Sequence, residues 1–330
     1  MNVLLWGRCT ERARKHVGED MFISYCYFTL MRKLLSKNTK KSKPLKRTVF
    51  GKKILPGEEA CAQIERLLTS DKPCMIARIG SVEMQAINDV YNVKYKLKKE
   101  ISDLKVQILY NNAGFFPCEK ELVLKFEEEY RKARANLDMI GLLRNSDEDY
   151  WIKYAPKSLQ CMDLAALEPY YWSAPWSRAL QGKKVLVINP FAKSIEKQYA
   201  KRELLFENKD ILPAFTLKTF ASVQSIGDNT GGFSDWFEAL EYMKREIAQI
   251  DFDIAILGCG AYAFPLASFC KELGKKAVVM GGATQILFGI KGKRWQNAPK
   301  IAKLFNEHWA YPDQTEVPEG FQKVEGGCYW

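Results

Sequence analysis

Three short runs in the second half of the chain, Lys184–Asn189 (KVLVIN), Asp253–Leu257 (DIAIL) and Lys276–Met280 (KAVVM), are apolar almost throughout. A strand with one wet face alternates polar and apolar side chains, whereas a continuously apolar strand is buried on both faces. Helical patterns of 12–16 residues separate these runs, over Phe191–Phe206, Asp235–Ile250 and Ala261–Leu273. Apolar strands joined by such helices predict an α/β fold, a Rossmann-like, mostly parallel sheet with helices on both faces. The first half adds a helix over Gly57–Leu68, a buried strand at Cys74–Ala77, a helix over Glu119–Leu137 and a strand at Asp138–Leu143. Ser81 is placed to cap the helix that carries Val82, Met84, Ala86 and Ile87. Tyr150–Arg178, rich in aromatics and broken by Pro156, Pro169 and Pro175, reads as mostly loop. Ligands of such sheets bind outside the carboxyl ends of the strands. Chemistry is therefore expected in the loops after Ala77, Ile188, Leu257 and Met280.

Charge divides the chain. Its 330 residues hold 50 Lys+Arg and 39 Asp+Glu, a net +11. Residues 1–55 carry 14 of the bases and 3 of the acids, which leaves 36 of each sign for residues 56–330. This predicts a basic N-terminal arm (1–55) and a neutral α/β body (56–330), with lobes at 56–180 and 181–330. A neutral body argues against nucleic acid as partner. Within the arm, the uncharged run Met21–Met31 precedes Lys and Arg residues with no acid among them, from Arg32 to Lys53. Eleven residues are too few to span a bilayer. An apolar segment beside a polybasic one suits an anionic membrane surface, each base contributing roughly 1 kcal/mol. The expectation is a cytoplasmic protein, peripheral on the inner membrane face through residues 21–53. The nine cysteines are odd in number and form no CxxC pair, and His16 and His308 are the two histidines. These counts argue against a disulfide framework and against zinc, so any metal would need carboxylate ligands.

The loops carry residues suited to anions. After the first strand, Arg78-Ile-Gly80-Ser81-Val-Glu83 offers a guanidinium, a glycine turn and a helix N-terminus, with Glu83 as a base or a metal ligand. The alternative is a plain helix cap with Glu83 on the dipole. Gly258-Cys-Gly260-Ala-Tyr262-Ala263 fits a dinucleotide fingerprint, G-x-G-x-x-A. The ribose-binding acid expected about 20 residues on is missing, since residues 278–283 read VVMGGA. That excludes NAD and leaves a phosphate cradle or glycines needed only for packing. From Gly281 to Trp295 the chain presents Gln285, then Lys291, Lys293 and Arg294 around further glycines, cations for a diphosphate beside a tryptophan for stacking. Asp251 and Asp253 precede their strand and read as a connection, Asp147 and Asp149 follow one and are a candidate pair for a metal–diphosphate, and His308 reads as a packed histidine.

Taken in order, Arg78–Glu83, Asn111-Asn112-Ala-Gly-Phe-Phe-Pro117, Pro175-Trp176 before Gly182–Val187, Gly258–Tyr262 and Gly281–Trp295 resemble bacterial proteins of the GT-D glycosyltransferase fold, associated with capsular and surface polysaccharides. The resemblance covers roughly residues 55–330. It implies a glycosyltransferase that takes a nucleotide-sugar donor and a glycan or lipid-linked acceptor. By that likeness Arg78 and Glu83 are catalytic. Gly80, Ser81, Asn111, Asn112, Gly258, Gly260, Tyr262, Gln285, Lys291, Lys293, Arg294 and Trp295 bind substrate. The family's loop pairs an Asp with the Glu at a divalent cation. Here the Asp position is Ser81, a poor ligand for Mn²⁺ or Mg²⁺. The competing expectations are a non-catalytic sugar-nucleotide or glycan-binding protein and a membrane-surface adaptor.

Overall fold

The computed structural model describes residues 48–144, 146–226 and 229–330. The apolar run, most of the basic stretch and the side chains of Asp147 and Asp149 lie outside the described residues. Among the described residues one nine-stranded sheet forms, in the order β1-β2-β5-β4-β3-β9-β8-β6-β7. Its strands are β1 (Thr48–Val49), β2 (Lys52–Leu55), β3 (Cys74–Ala77), β4 (Met139–Leu142), β5 (Gln160–Asp163), β6 (Lys184–Ile188), β7 (Thr216–Phe220), β8 (Ile254–Leu257) and β9 (Lys276–Val279). Only β1 pairs antiparallel, with β2; every other neighbouring pair is parallel. Both halves share the sheet, because β3 pairs with β9 through Ile76 opposite Val278.

The apolar runs are explained by two cores. Along β3, β6, β8 and β9 successive side chains alternate between them, as Met75 and Ala77 face one and Cys74 and Ile76 the other. Both faces are dry, so no polar alternation appears in the sequence. One face is covered by α2 (Ser81–Lys94), α3 (Asp103–Ala113), α4 (Lys120–Arg134), α7 (Trp236–Ala248) and α8 (Ala263–Glu272). The other packs under α1 (Gly57–Thr69), α6 (Ala192–Tyr199) and α9 (Ala283–Leu287). A short helix, α5 (Ser146–Lys153), links β4 to β5.

Three departures from expectation have physical reasons. Residues 48–55, counted with the arm on charge, form β1 and β2 and join the sheet. The aromatic stretch is not all loop: it contains α5, β5 and three 3₁₀ turns. Trp172 lies over Gly57, where a Cβ would come within 1.7 Å of its ring. The helix expected over Phe191–Phe206 is broken at Lys201 (φ −108°, ψ 17°), leaving α6 and a turn at Arg202–Leu205. No helix among the described residues is long and apolar enough to cross a membrane. Asp251 and Asp253 connect α7 to β8 as expected, with Lys184 Nζ on Asp251 and Lys184 N donating to Asp253 Oδ2 (2.8 Å). His308 is held in a loop by Asn306 and by Gln198, whose Nε2 donates to its carbonyl (3.0 Å).

Candidate functional site

The sheet changes direction of growth where β3 meets β9, and a cavity of about 290 Å³ opens at the carboxyl ends there. All four expected loops reach it, at residues 78–83, 189–191, 258–264 and 279–285. Further segments join the wall, among them the loop after β7 (222–226) and the C-terminal stretch 324–330. Among the described lining residues the cations are Arg78 and Arg294, and the acids are Glu83, Glu168 and Glu325.

Gly80, not Ser81, is the N-cap of α2 (φ −68°, ψ 150°), and Ser81 is its first helical residue, exposed at the cavity. The reason is the Glu83 side chain, which folds back over the glycine: a Cβ on residue 80 would lie 1.9 Å from Oε2. Glu83 is 8% exposed, and burial pushes its carboxyl up, opposed by its own backbone amide and by Arg78. The carboxylate thus sits where the helix N-terminus would hold an anion. Arg78 is half-buried, and among the described residues no ion pair holds its guanidinium. It also faces Glu168, whose carboxyl is raised by burial and lowered by Tyr170, Arg78 and Tyr171 in turn. Tyr170 OH donates to Glu168 Oε2 (2.6 Å).

The G-x-G turn serves packing first. A Cβ at Gly258 would meet Thr284 Oγ1 (2.6 Å), Asn189 Nδ2 (2.7 Å) and the Gly281 carbonyl (2.7 Å), so the segments after β6 and β9 both close on this glycine. Asn189 Nδ2 donates to the Gly258 carbonyl (2.8 Å) and ties β6 to β8. Gly260 (φ +56°) abuts the Ala113 carbonyl, 2.8 Å from the position of a Cβ. The Tyr262 ring stacks on Trp236 (5.1 Å between centroids), and its hydroxyl bonds Ser225 Oγ (2.9 Å). Asn112 lines the cavity. Asn111 does not, because it accepts from Gln107 Nε2 (3.1 Å) on the outer side of α3.

The Gly281–Trp295 loop divides similarly. Gln285 is 2% exposed and donates through Nε2 to the carbonyls of Lys291 and Tyr329 (both 2.8 Å), fastening the C-terminal segment. Trp295 lines the cavity and closes on Gly282, 3.3 Å from a Cβ there. Lys291 and Lys293 lie outside the lining: Lys291 Nζ sits over the Phe305 ring (5.7 Å), and Lys293 Nζ donates to the Gly326 carbonyl (3.2 Å). Arg294 alone of the three cations faces in, paired with Glu325.

Sequence reading missed Glu168, Glu325, Tyr329, Trp330 and the β7 loop. Each reaches the cavity by folding rather than by a motif. The one available signal was the glycine pair Gly326-Gly327, which marks a turn.

A divalent cation fits this set poorly. Hard cations take several anionic oxygens, yet the Arg78 charge acts on both Glu83 and Glu168, and burial pushes both carboxyls toward the neutral form. Ser81 adds only a hydroxyl, and no group of three or more candidate ligands gathers among the described residues. Compared with known proteins, the chain matches no family model, no curated protein and no solved structure.

Proposed function

We propose that the cavity binds a nucleotide-activated sugar and that the chain is a glycosyltransferase-like enzyme of bacterial surface polysaccharide or glycan assembly. The observation that carries this reading is the convergence of four strand-end loops and two inward-facing arginines on one cavity. Arg78 and Arg294 neutralise the diphosphate, and charge taken up at the departing phosphate supplies most of the rate. Asn112 and the β7 loop meet the sugar hydroxyls, while Trp295 and Trp330 offer rings for stacking. Glu83, whose carboxyl burial pushes toward the protonated form, hands a proton to or takes one from the reacting hydroxyl. No step is assigned to a metal. The arm ahead of the sheet, with its apolar run and the bases of residues 32–47, holds the protein at an anionic membrane surface, where lipid-linked acceptors reside.

Glu83 tucked over Gly80 favours a second reading, a sugar-nucleotide-binding protein without turnover. Thermal-shift titration with a panel of nucleoside-diphosphate sugars, in Mn²⁺ and in chelator, tests both. At 100-fold excess over Kd a donor adds about 2.7 kcal/mol, a rise of several degrees. If no donor raises Tm, both readings fail; binding without release of nucleoside diphosphate selects the second.

A further inference from the structure

The two cations of the cavity are in different states. Arg78 has no ion pair among the described residues, while Arg294 is fully engaged. Its guanidinium pairs with Glu325 Oε2, donates to Tyr329 OH (3.0 Å) and lies 4.7 Å over the Tyr329 ring and 5.7 Å from Trp295. The partners are not symmetric. The tyrosine contacts leave the positive charge uncompensated, and Glu325 is the single carboxylate at Arg294 among the described residues.

Glu325 stands on a turn of unusual backbone. It lies in the left-handed region at φ 47°, unusual for a residue with a Cβ, and Gly326 (φ 71°) and Gly327 (φ 77°) follow it. Strained backbone of this kind persists where surrounding contacts impose it and gathers at ligand clamps. A Cβ at Gly326 would meet nothing within 4 Å, whereas one at Gly327 would meet the Phe321 ring at 2.8 Å, so the turn is open on the Gly326 side and its one side-chain tether there is Lys293 Nζ on the Gly326 carbonyl (3.2 Å) among the described residues. The Glu325 side chain is 45% exposed and that of Arg294 32%. A partly exposed ion pair contributes little in water, so a phosphate group with more charge and more acceptor oxygens displaces a single carboxylate readily.

We propose that Arg294 is the second anion subsite of the cavity, that Glu325 is its resident counter-ion, and that a diphosphate-bearing ligand takes the guanidinium from Glu325 as residues 325–327 swing away. This rests on the reading of the cavity as an anion site, and it adds that the C-terminal stretch opens when the anion enters.

Inorganic pyrophosphate is the probe, titrated calorimetrically into the full chain. Glu325→Gln, which keeps the shape and removes the charge, should bind pyrophosphate about 3- to 10-fold tighter than the native protein. Arg294→Gln should bind at least 10-fold more weakly, and adding Glu325→Gln to it should change nothing further. Glu325→Ser repeats the neutralisation in case the glutamine variant fails to fold. Equal or weaker binding by both neutralised variants would overturn the proposal. So would a Glu325→Gln gain that survives in the Arg294→Gln background, since the effect would then be bulk charge. Pyrophosphate binding to none of these proteins overturns it as well. Pyrophosphate binding with the expected pattern, but no response to any nucleotide sugar, would sink the donor reading and leave this exchange standing.

Discussion

Glu83 is the residue on which acid–base chemistry in the cavity turns, and its environment makes a measurable demand. Burial raises its carboxyl above the ordinary 4.5, so between that value and its folded value the native protein keeps a proton the unfolded chain has lost. Its contribution is therefore full below pH 4.5 and is lost as pH rises through the folded value. Glu83→Gln titrates in neither state. The stability difference, variant minus native, should rise by up to about 1.4 kcal/mol per pH unit across that window. Urea unfolding of both proteins from pH 4.5 to 7.5 measures it; parallel curves would mean that the buried carboxyl is ionised throughout. Arg78, Gly80 and Glu83 could be found from sequence because one short loop carries them all. Glu168 and Glu325 could not, since their approach to Arg78 and Arg294 depends on how distant segments fold.

At the scale of elements, the buried strands were the legible part. β3, β6, β8 and β9 are apolar on both faces, which leaves one interpretation, and their carboxyl ends located the cavity. β5 and β7 were hidden for opposite reasons. Gln160-Cys-Met-Asp163 offers only two apolar residues between polar ends, and Thr216-Leu-Lys-Thr-Phe220 is a partly exposed edge with polar residues along it. The glycine fingerprint at 258–260 was legible as a turn and ambiguous in purpose. Its close contacts show that packing needs glycine there, while both glycines also line the cavity, with a consequence for mutation. Gly260→Ala must place a Cβ 2.8 Å from the Ala113 carbonyl on a left-handed backbone (φ +56°). It should destabilise by about 1–3 kcal/mol, read as a lower urea midpoint at unchanged m-value. A substitution as stable as the native protein would return the glycine to a role in ligand contact alone.

For the whole molecule, the decisive boundary is where the basic arm ends and the sheet begins. Charge set it at residue 55, yet β2 pairs in parallel with β5 through Ile54 opposite Cys161 and Leu55 opposite Met162. Lys52 Nζ donates to the Lys157 carbonyl (2.7 Å), so two of the arm's bases belong to a strand that the body needs. Val49 and Ile54 are 6% and 7% exposed and lie in the core beneath the helices. Two truncations separate the roles. Removing residues 1–47 takes away the apolar run and twelve of the bases while leaving every strand in place. It should leave Tm within about a degree of the full chain and abolish co-sedimentation with vesicles containing anionic lipid. Removing residues 1–55 also deletes β1 and β2 and strips β5 of a neighbour. The lost burial of Val49 and Ile54 alone, at about 1.5–3 kcal/mol for each large apolar side chain, should lower Tm by several degrees. If the shorter truncation still sediments with anionic vesicles, the membrane contact lies on the body. If the longer truncation is as stable as the shorter, β1 and β2 add nothing to the sheet, and the arm ends where its charge does.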